Sequence, residues 1–300
     1  MMFNHVRDRL VIALRWFWFS PLPVRRVVVL RTILYAFIFV DVLLTTRWVA
    51  AHVDAPQSFY QPLLVARLLH LPRPTPGLIV AVEVALLLFA GIAALGRWPR
   101  VTGMVVFFLY LAWMLIAMSY GKVDHDRFAF LVALAVLPTV PTRQESEGES
   151  SEAAGWALRC IQVAVVLTYF LAAFSKFRYG GLGWLNGGTL MWAVLRRGTL
   201  FAEPLIDNPW MLHVGQYMVV GFELASPLLL VPGRIGRWFL GAAVLFHLVT
   251  FATITIIFLP HIMCLLAFVP LERLRLPRTR EAAPDALGAA SVARAGVYRS

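Results

Sequence analysis

The chain has 300 residues, 60% of them hydrophobic and only 14% charged, with a formal net charge of +11. A charged fraction about half that of an ordinary soluble domain excludes a water-soluble globular protein and indicates an integral membrane protein. The basic residues lie between apolar runs and form no stripe with interleaved aromatic residues, which excludes a nucleic-acid surface and leaves membrane topology as the reason for the charge.

Residues 1–20 are amphipathic and rich in Arg and Trp, with no small-residue cleavage site. They read as an interfacial helix lying on the cytoplasmic surface. A first span is expected over about Val27–Thr46, with Arg31 near its start and Asp41 toward its far end. The segment from Arg47 to Pro76 is too polar to cross. Its amphipathic pieces, Phe59–Leu64 and Leu68–Leu71, read as a short helix in the outer interface. Span two is expected at about Gly77–Leu95, with Glu83 inside. After the link Gly96-Arg97-Trp98-Pro99-Arg100 comes span three, about Val101–Ser119. Span four follows Asp124-His125-Asp126-Arg127 and covers about Phe128–Val140.

Residues 141–155, acidic and rich in Ser and Gly, read as a flexible link. Span five is expected at about Trp156–Phe174. It leads to Lys176 and then into Gly180, Gly181, Gly183, Trp184 and Gly187. A second horizontal helix is expected at Thr189–Arg197. Span six is about Leu212–Val231, with Glu223 inside. Span seven is about Trp238–Leu259, with His247 near its middle. Span eight is about His261–Pro270, and residues 273–300 form a basic, partly disordered tail.

The expected fold is therefore all-α: one polytopic transmembrane helical bundle over residues 21–272, with about eight spans and interfacial helices, at roughly 20 residues per span. Arginines before span one and after spans two, six and eight fall on one side, which places both termini in the cytoplasm and His125 and Lys176 together on the other face. Gly96-Arg97-Trp98-Pro99-Arg100 and Gly233-Arg234-Ile235-Gly236-Arg237 share a pattern and each follows a span with a glutamate. This fits a parallel repeat of four spans and four.

Ionisable groups inside a bilayer are expensive unless paired or wetted. Arg31, Asp41, Glu83, Glu223 and His247 are the candidates, either as polar ties between helices or in a direct role. Lys176 ends a long apolar run. It either snorkels to the headgroups or serves as a base in apolar surroundings. His125, between two aspartates, can exchange a proton near neutral pH. The glycines Gly180, Gly181 and Gly183 allow backbone to approach a ligand, and Tyr169, Trp184 and Trp192 can wall it. Cys160 and Cys264 show no metal-ligand spacing and read as small buried hydrophobes, and no metal is expected.

The entry Asp124-His125-Asp126-Arg127-Phe128, the segment Ala173-Phe174-Ser175-Lys176-Phe177 with Trp184 and Gly187, the stretch Glu223-Leu224-Ala225-Ser226-Pro227 and the mid-span His247 resemble, in that order, the vitamin K-dependent gamma-carboxylases and their bacterial relatives, the HTTM (horizontally transferred transmembrane) proteins. DoxX-like proteins share a looser version. The resemblance covers roughly residues 20–272. It implies Lys176 as the base that deprotonates a reduced isoprenoid quinol, His125 and His247 as catalytic partners, and Tyr169, Gly180, Gly181, Trp184 and Glu223 around the cofactor. The implied partners are membrane lipids and a lipid-soluble quinone. The family's carboxylase has asparagine where this chain has Asp124 and a large extracytoplasmic portion after its spans, so a quinol- or lipid-dependent carboxylase/oxygenase-like enzyme is expected here rather than full carboxylation of protein glutamates. A non-catalytic membrane protein that binds a lipid or partner, and a small-molecule transporter using Glu83 and Glu223, are the rival readings.

Overall fold

The computed structural model describes residues 2–141 and 149–274; most of the expected tail, and part of the expected link, lie outside them. Among the described residues the fold is helical, with one minimal antiparallel ladder pairing Leu22–Pro23 with Ser150–Ser151.

Helix α1 (Met2–Phe19) lies against the start of the longest helix, and its Leu10, Ile12 and Trp16 are exposed. Helix α2 (Val24–Val40) continues as a π-helical turn over Asp41–Thr45, so the apolar rod runs to Thr45. The β-branched run Val27-Val28-Val29 and the residues Leu30, Leu34 and Ile38 bury its inward face. A 3₁₀ stretch (Arg47–Asp54) and a short helix α3 (Leu64–Leu68) then cross the end of the bundle, where an interfacial element was expected.

Helices α4 (Pro76–Ala94) and α5 (Pro99–Ala117) form a tight hairpin. Each starts with proline at its first position, where no N–H is needed. Thr75 caps α4 by accepting from the Leu78 N–H at 3.2 Å. Helix α6 (Phe128–Val136) is short and is closed by a 3₁₀ turn carrying Pro138.

Helix α7 (Glu152–Gly180) is the spine of the molecule, capped by Ser151 and ended by Gly181 at φ 58°. It extends four residues beyond Lys176, so the helix does not break at the lysine as its glycines imply; it breaks at Gly181. Helix α8 (Gly188–Arg197) starts where Gly187, at φ 84°, turns the chain. Helix α9 (Glu203–Asp207) leads into α10 (Trp210–Leu224), followed by a 3₁₀ turn over Ser226–Leu230. Helix α11 (Arg234–Ile254) begins four residues before the expected Trp238 and takes in Arg234 and Arg237, and α12 (Leu259–Leu265) closes the bundle.

Among the described residues, five helical rods are long and apolar enough to cross a membrane: Val24–Thr45, Pro76–Ala94, Pro99–Ala117, Glu152–Leu185 and Arg234–Ile254. The eight expected spans thus meet five of membrane length. Helices α6, α10 and α12 have 9, 15 and 7 residues. Pro138 and Pro227 follow closely on the ends of α6 and α10, where proline disfavours continuation of the helix, and Pro260 stands in the first turn of α12.

The start of α2 and the last described residues meet at one end of the bundle. Arg26 holds both carboxylate oxygens of Glu272 at 2.7 Å, and Arg25 donates to the Leu274 carbonyl. The start of α7 is fixed there too, since Arg159 donates to the Phe17 carbonyl and stacks on the Phe17 ring. At about 1.5 Å per residue, Lys176 lies about 36 Å along α7 from Glu152, at the opposite end.

Candidate functional site

The cavity sits at that opposite end, between α7, α10, α11 and α12 and beneath α8, which packs on both α10 and α11. Its volume is about 680 Å³ and its lining is mostly apolar, with Phe222 and Phe246 among the walls. Those two rings stack at 4.6 Å, and Phe222 also stacks on Phe239 at 5.1 Å, which ties α10 to α11 below the cavity.

Lys176 reaches into the cavity from α7. Its ammonium is held by both oxygens of Glu223 on α10, at 2.6 and 2.7 Å. The lysine is therefore ion-paired and not free at the headgroups. Trp184 folds back so that its ring centroid lies 5.2 Å from the ammonium, a cation–π contact. The glycines make this fold-back possible: a Cβ on Gly180 would stand 3.0 Å from Trp184 Cβ, and Gly181 adopts a left-handed turn. Neither glycine lines the cavity; both shape the chain that carries Trp184 to it. Trp192, 74% exposed, points away.

Tyr169, two turns before Lys176, bonds His247 Nε2 through its hydroxyl at 2.7 Å. The other ring nitrogen of His247, Nδ1, is buried without a partner. His261, on α12, stands edge-on to the Tyr169 ring at 4.5 Å. Gln216 on α10 fixes the rim: its amide donates to the Trp184 carbonyl and its oxygen accepts from the Leu190 N–H.

His125 and Asp126 line the cavity from the 3₁₀ turn before α6. Burial, and then the Lys176 charge, hold the His125 imidazole below its ordinary value, while Asp124 acts the other way. Burial pushes the Asp126 carboxyl up to about 6, against the opposing charge of Arg127. That turn is anchored from behind. Arg127 donates to Asp41 at 2.5 Å and to the Tyr110 hydroxyl at 3.0 Å, and Tyr110 donates to the same Asp41 oxygen at 2.8 Å. Thr45 also donates to Asp41, and Trp113 donates to Thr46. The π-turn of α2 carries the carboxylate into this network; such bulges recur at functional sites. Asp41 is thus a polar tie and lies outside the cavity.

No family model, no curated protein and no solved structure matches the chain.

Six of the eight residues singled out from sequence share the cavity lining: Lys176, His125, His247, Tyr169, Trp184 and Glu223. Glu83 is half-buried on α4 and does not line it. Among the described residues no group of three or more His, Cys, Asp or Glu is arranged to hold a metal. Sequence reading missed His261, Asp126 and Gln216. His261 opens the eighth expected span. The signal was present, because a titratable side chain inside an apolar run invites the same question as His247. Gln216 gave no signal beyond being polar in a span.

Proposed function

We propose that the chain is a multi-pass protein of the cell membrane that holds an isoprenoid quinol, or a related ring-bearing lipid, in the cavity beneath α8, and that it handles a proton at Lys176 and Glu223. The observation that carries the reading is the meeting of the Lys176–Glu223 pair, His125 and the Tyr169–His247 bond on one apolar chamber. A volume of 680 Å³ lies in the range of pockets that enclose small organic ligands, about 300–1,000 Å³. The unpartnered nitrogens of His247 and His261 fit a ligand with a polar head in an otherwise apolar body. The order of the motifs at His125, Lys176, Glu223 and His247 supports placing the chain with the HTTM proteins and the membrane part of the vitamin K-dependent gamma-carboxylases. In the proposed topology α6, α10 and α12 complete eight crossings with their 3₁₀ turns, in two parallel halves, with both termini cytoplasmic.

When bound, a quinol supplies an ionisable hydroxyl and reducing power. The chain supplies the proton acceptor and the counter-charge. An ammonium held by two carboxylate oxygens at 2.6–2.7 Å is a charged pair at rest. Lys176 Nζ serves as a base once its own proton has passed to Glu223, so the pair acts as one unit. The free amine takes the hydroxyl proton of the ligand and, as ammonium, faces the negative charge left on that oxygen, while Glu223 keeps the first proton. His125 and Asp126, at the rim, are placed to pass that proton outward. Tyr169 fixes the orientation of His247.

The test is turnover of a short-chain hydroquinone by purified protein carrying Lys176→Ala or Glu223→Gln. Loss of turnover in both supports the enzyme; turnover equal to the unaltered protein in Lys176→Ala ends it. The ion-paired resting state favours one second reading, a non-catalytic lipid-binding membrane protein, for which the ligand binds the unaltered protein and no turnover is seen.

A further inference from the structure

His261 has no part in the chemistry above, yet it is the most enclosed titratable side chain of the cavity wall. The residue is 1% exposed, and both ring nitrogens are buried with no hydrogen-bond partner. It is not folded away from the chamber, because it lines it. Its ring stands edge-on to Tyr169 and 5.7 Å, centroid to centroid, from the ring of His247. His247 Nε2 is committed to Tyr169, and its Nδ1 is the third unpartnered nitrogen on this wall.

Leaving buried polar atoms unpaired is costly, and an apolar side chain would fill the same space at no such penalty. A neutral imidazole offers one donor and one acceptor, so the two rings together present both kinds of site to the chamber. The charges around the chamber limit what can sit there. Lys176 is the one lysine or arginine among the lining residues, and Glu223 already neutralises it. Glu223 and Asp126 are the acidic groups of the lining. A phosphate or carboxylate head would therefore enter without a counter-charge.

We propose that His261 and His247 form a subsite for a neutral hydroxyl or carbonyl oxygen of the bound lipid. The ligand class is a phenol-like or quinol-like head on an apolar body, not an anionic phospholipid. His261 contributes by donating to, or accepting from, that oxygen, according to whether it is a carbonyl or a hydroxyl. The Lys176–Glu223 pair stays available for a second polar group on the same ring. This rests on the reading of the cavity as a lipid site and adds the residues that choose among lipids.

The test uses the full chain in lipid nanodiscs and two probes: an anaerobic decyl-chain 1,4-naphthohydroquinone and its dimethyl ether, which keeps the ring and loses both hydroxyl donors. Binding is read by quenching of tryptophan fluorescence, since Trp184 lines the chamber. The hydroquinone is expected to bind the unaltered protein about tenfold more tightly than the ether. His261→Phe removes that advantage and leaves the affinity for the ether unchanged, and His261→Gln recovers part of it. In ¹⁵N-histidine spectra the His261 resonances, identified by their loss in His261→Gln, move with the hydroquinone and not with the ether. This readout needs only the unaltered protein for its titration, so it decides the matter even where His261→Phe folds poorly. Equal affinity for both probes, or equal loss of both in His261→Phe, overturns the subsite and leaves the lipid cavity standing. Failure of both probes to bind the unaltered protein overturns the cavity reading and the subsite together. Displacement of the hydroquinone by decyl phosphate at comparable concentration overturns the preference for a neutral head.

Discussion

Lys176 on α7 and Glu223 on α10 meet as a two-pronged pair, at 2.6 and 2.7 Å, across the mouth of an apolar chamber. Each side chain is mostly shielded, 20% and 8% exposed, so neither charge is fully served by water. Removing one partner strands the other. Glu223→Ala and Lys176→Met are each expected to lower stability by roughly 2–3 kcal/mol. The double substitution Lys176→Met with Glu223→Leu is expected to cost clearly less than their sum. Thermal unfolding in detergent, run as a double-mutant cycle, checks this.

A second buried charge pair lies behind the cavity. Asp41 is fully buried and receives Arg127, Tyr110 and Thr45. Asp41→Ala leaves the Arg127 guanidinium without its anion and is expected to cost about 3–5 kcal/mol. Tyr110→Phe removes one neutral donor and is expected to cost about 1 kcal/mol. The same variants should loosen the His125–Asp126 turn, which hydrogen exchange at residues 124–128 measures.

Asp126 sets a pH dependence. Its carboxyl ordinarily titrates near 3.8 and is raised to about 6 by burial in the folded chain. The unfolded chain therefore releases this proton at lower pH than the folded one. Stability from this group is intact below pH 4, falls as pH rises from about 4 to about 6, and stays reduced above that. Asp126→Asn removes the penalty. Its stability relative to the unaltered protein is expected to grow across that window by roughly 1–3 kcal/mol. Melting curves from pH 4 to 7 give the sign directly.

Gly155 is the contact point of the amino-terminal helix. A Cβ there would lie 1.9 Å from the Ser20 carbonyl oxygen, which is backbone and cannot step aside cheaply. Gly155→Ala is expected to push the junction of α1 and α2 off α7 at a cost of roughly 1–3 kcal/mol. Faster proteolysis near residues 15–25, with the cavity end unaffected, is the expected signature.

Much of this architecture was legible in the sequence, for physical reasons that can be named. Apolar length and flanking Pro and Thr place α4 and α5 within two residues, because a hydrocarbon-length helix with a proline start leaves little freedom. The three shorter helices were less legible, since the apolar runs through Pro138 and Pro227 divide into a helix and a 3₁₀ turn, and Pro260 stands in the first turn of α12. Lys176 and His247 stood out because ionisable groups in apolar runs are costly. Glu223 and Tyr169 stood out as well, but which residue pairs with which did not, since Glu223 lies 47 residues from Lys176 and Tyr169 lies 78 from His247. The pairing of Arg127 with Asp41, 86 residues apart, was equally hidden. Glycine marks close approach or an unusual turn without saying which, and here Trp184 approaches Gly180 while Gly181 supplies the turn.

The central claim is that the chamber beneath α8 holds a neutral, mostly apolar, ring-bearing lipid. Native mass spectrometry of the detergent-solubilised protein tests it most directly, beside an Ala193→Trp variant that fills the chamber from α8. The account predicts a co-purifying neutral lipid of quinone-like mass on the unaltered protein and its loss from the variant. Equal occupancy in both proteins, or no bound mass beyond bilayer phospholipids on the unaltered one, would contradict it.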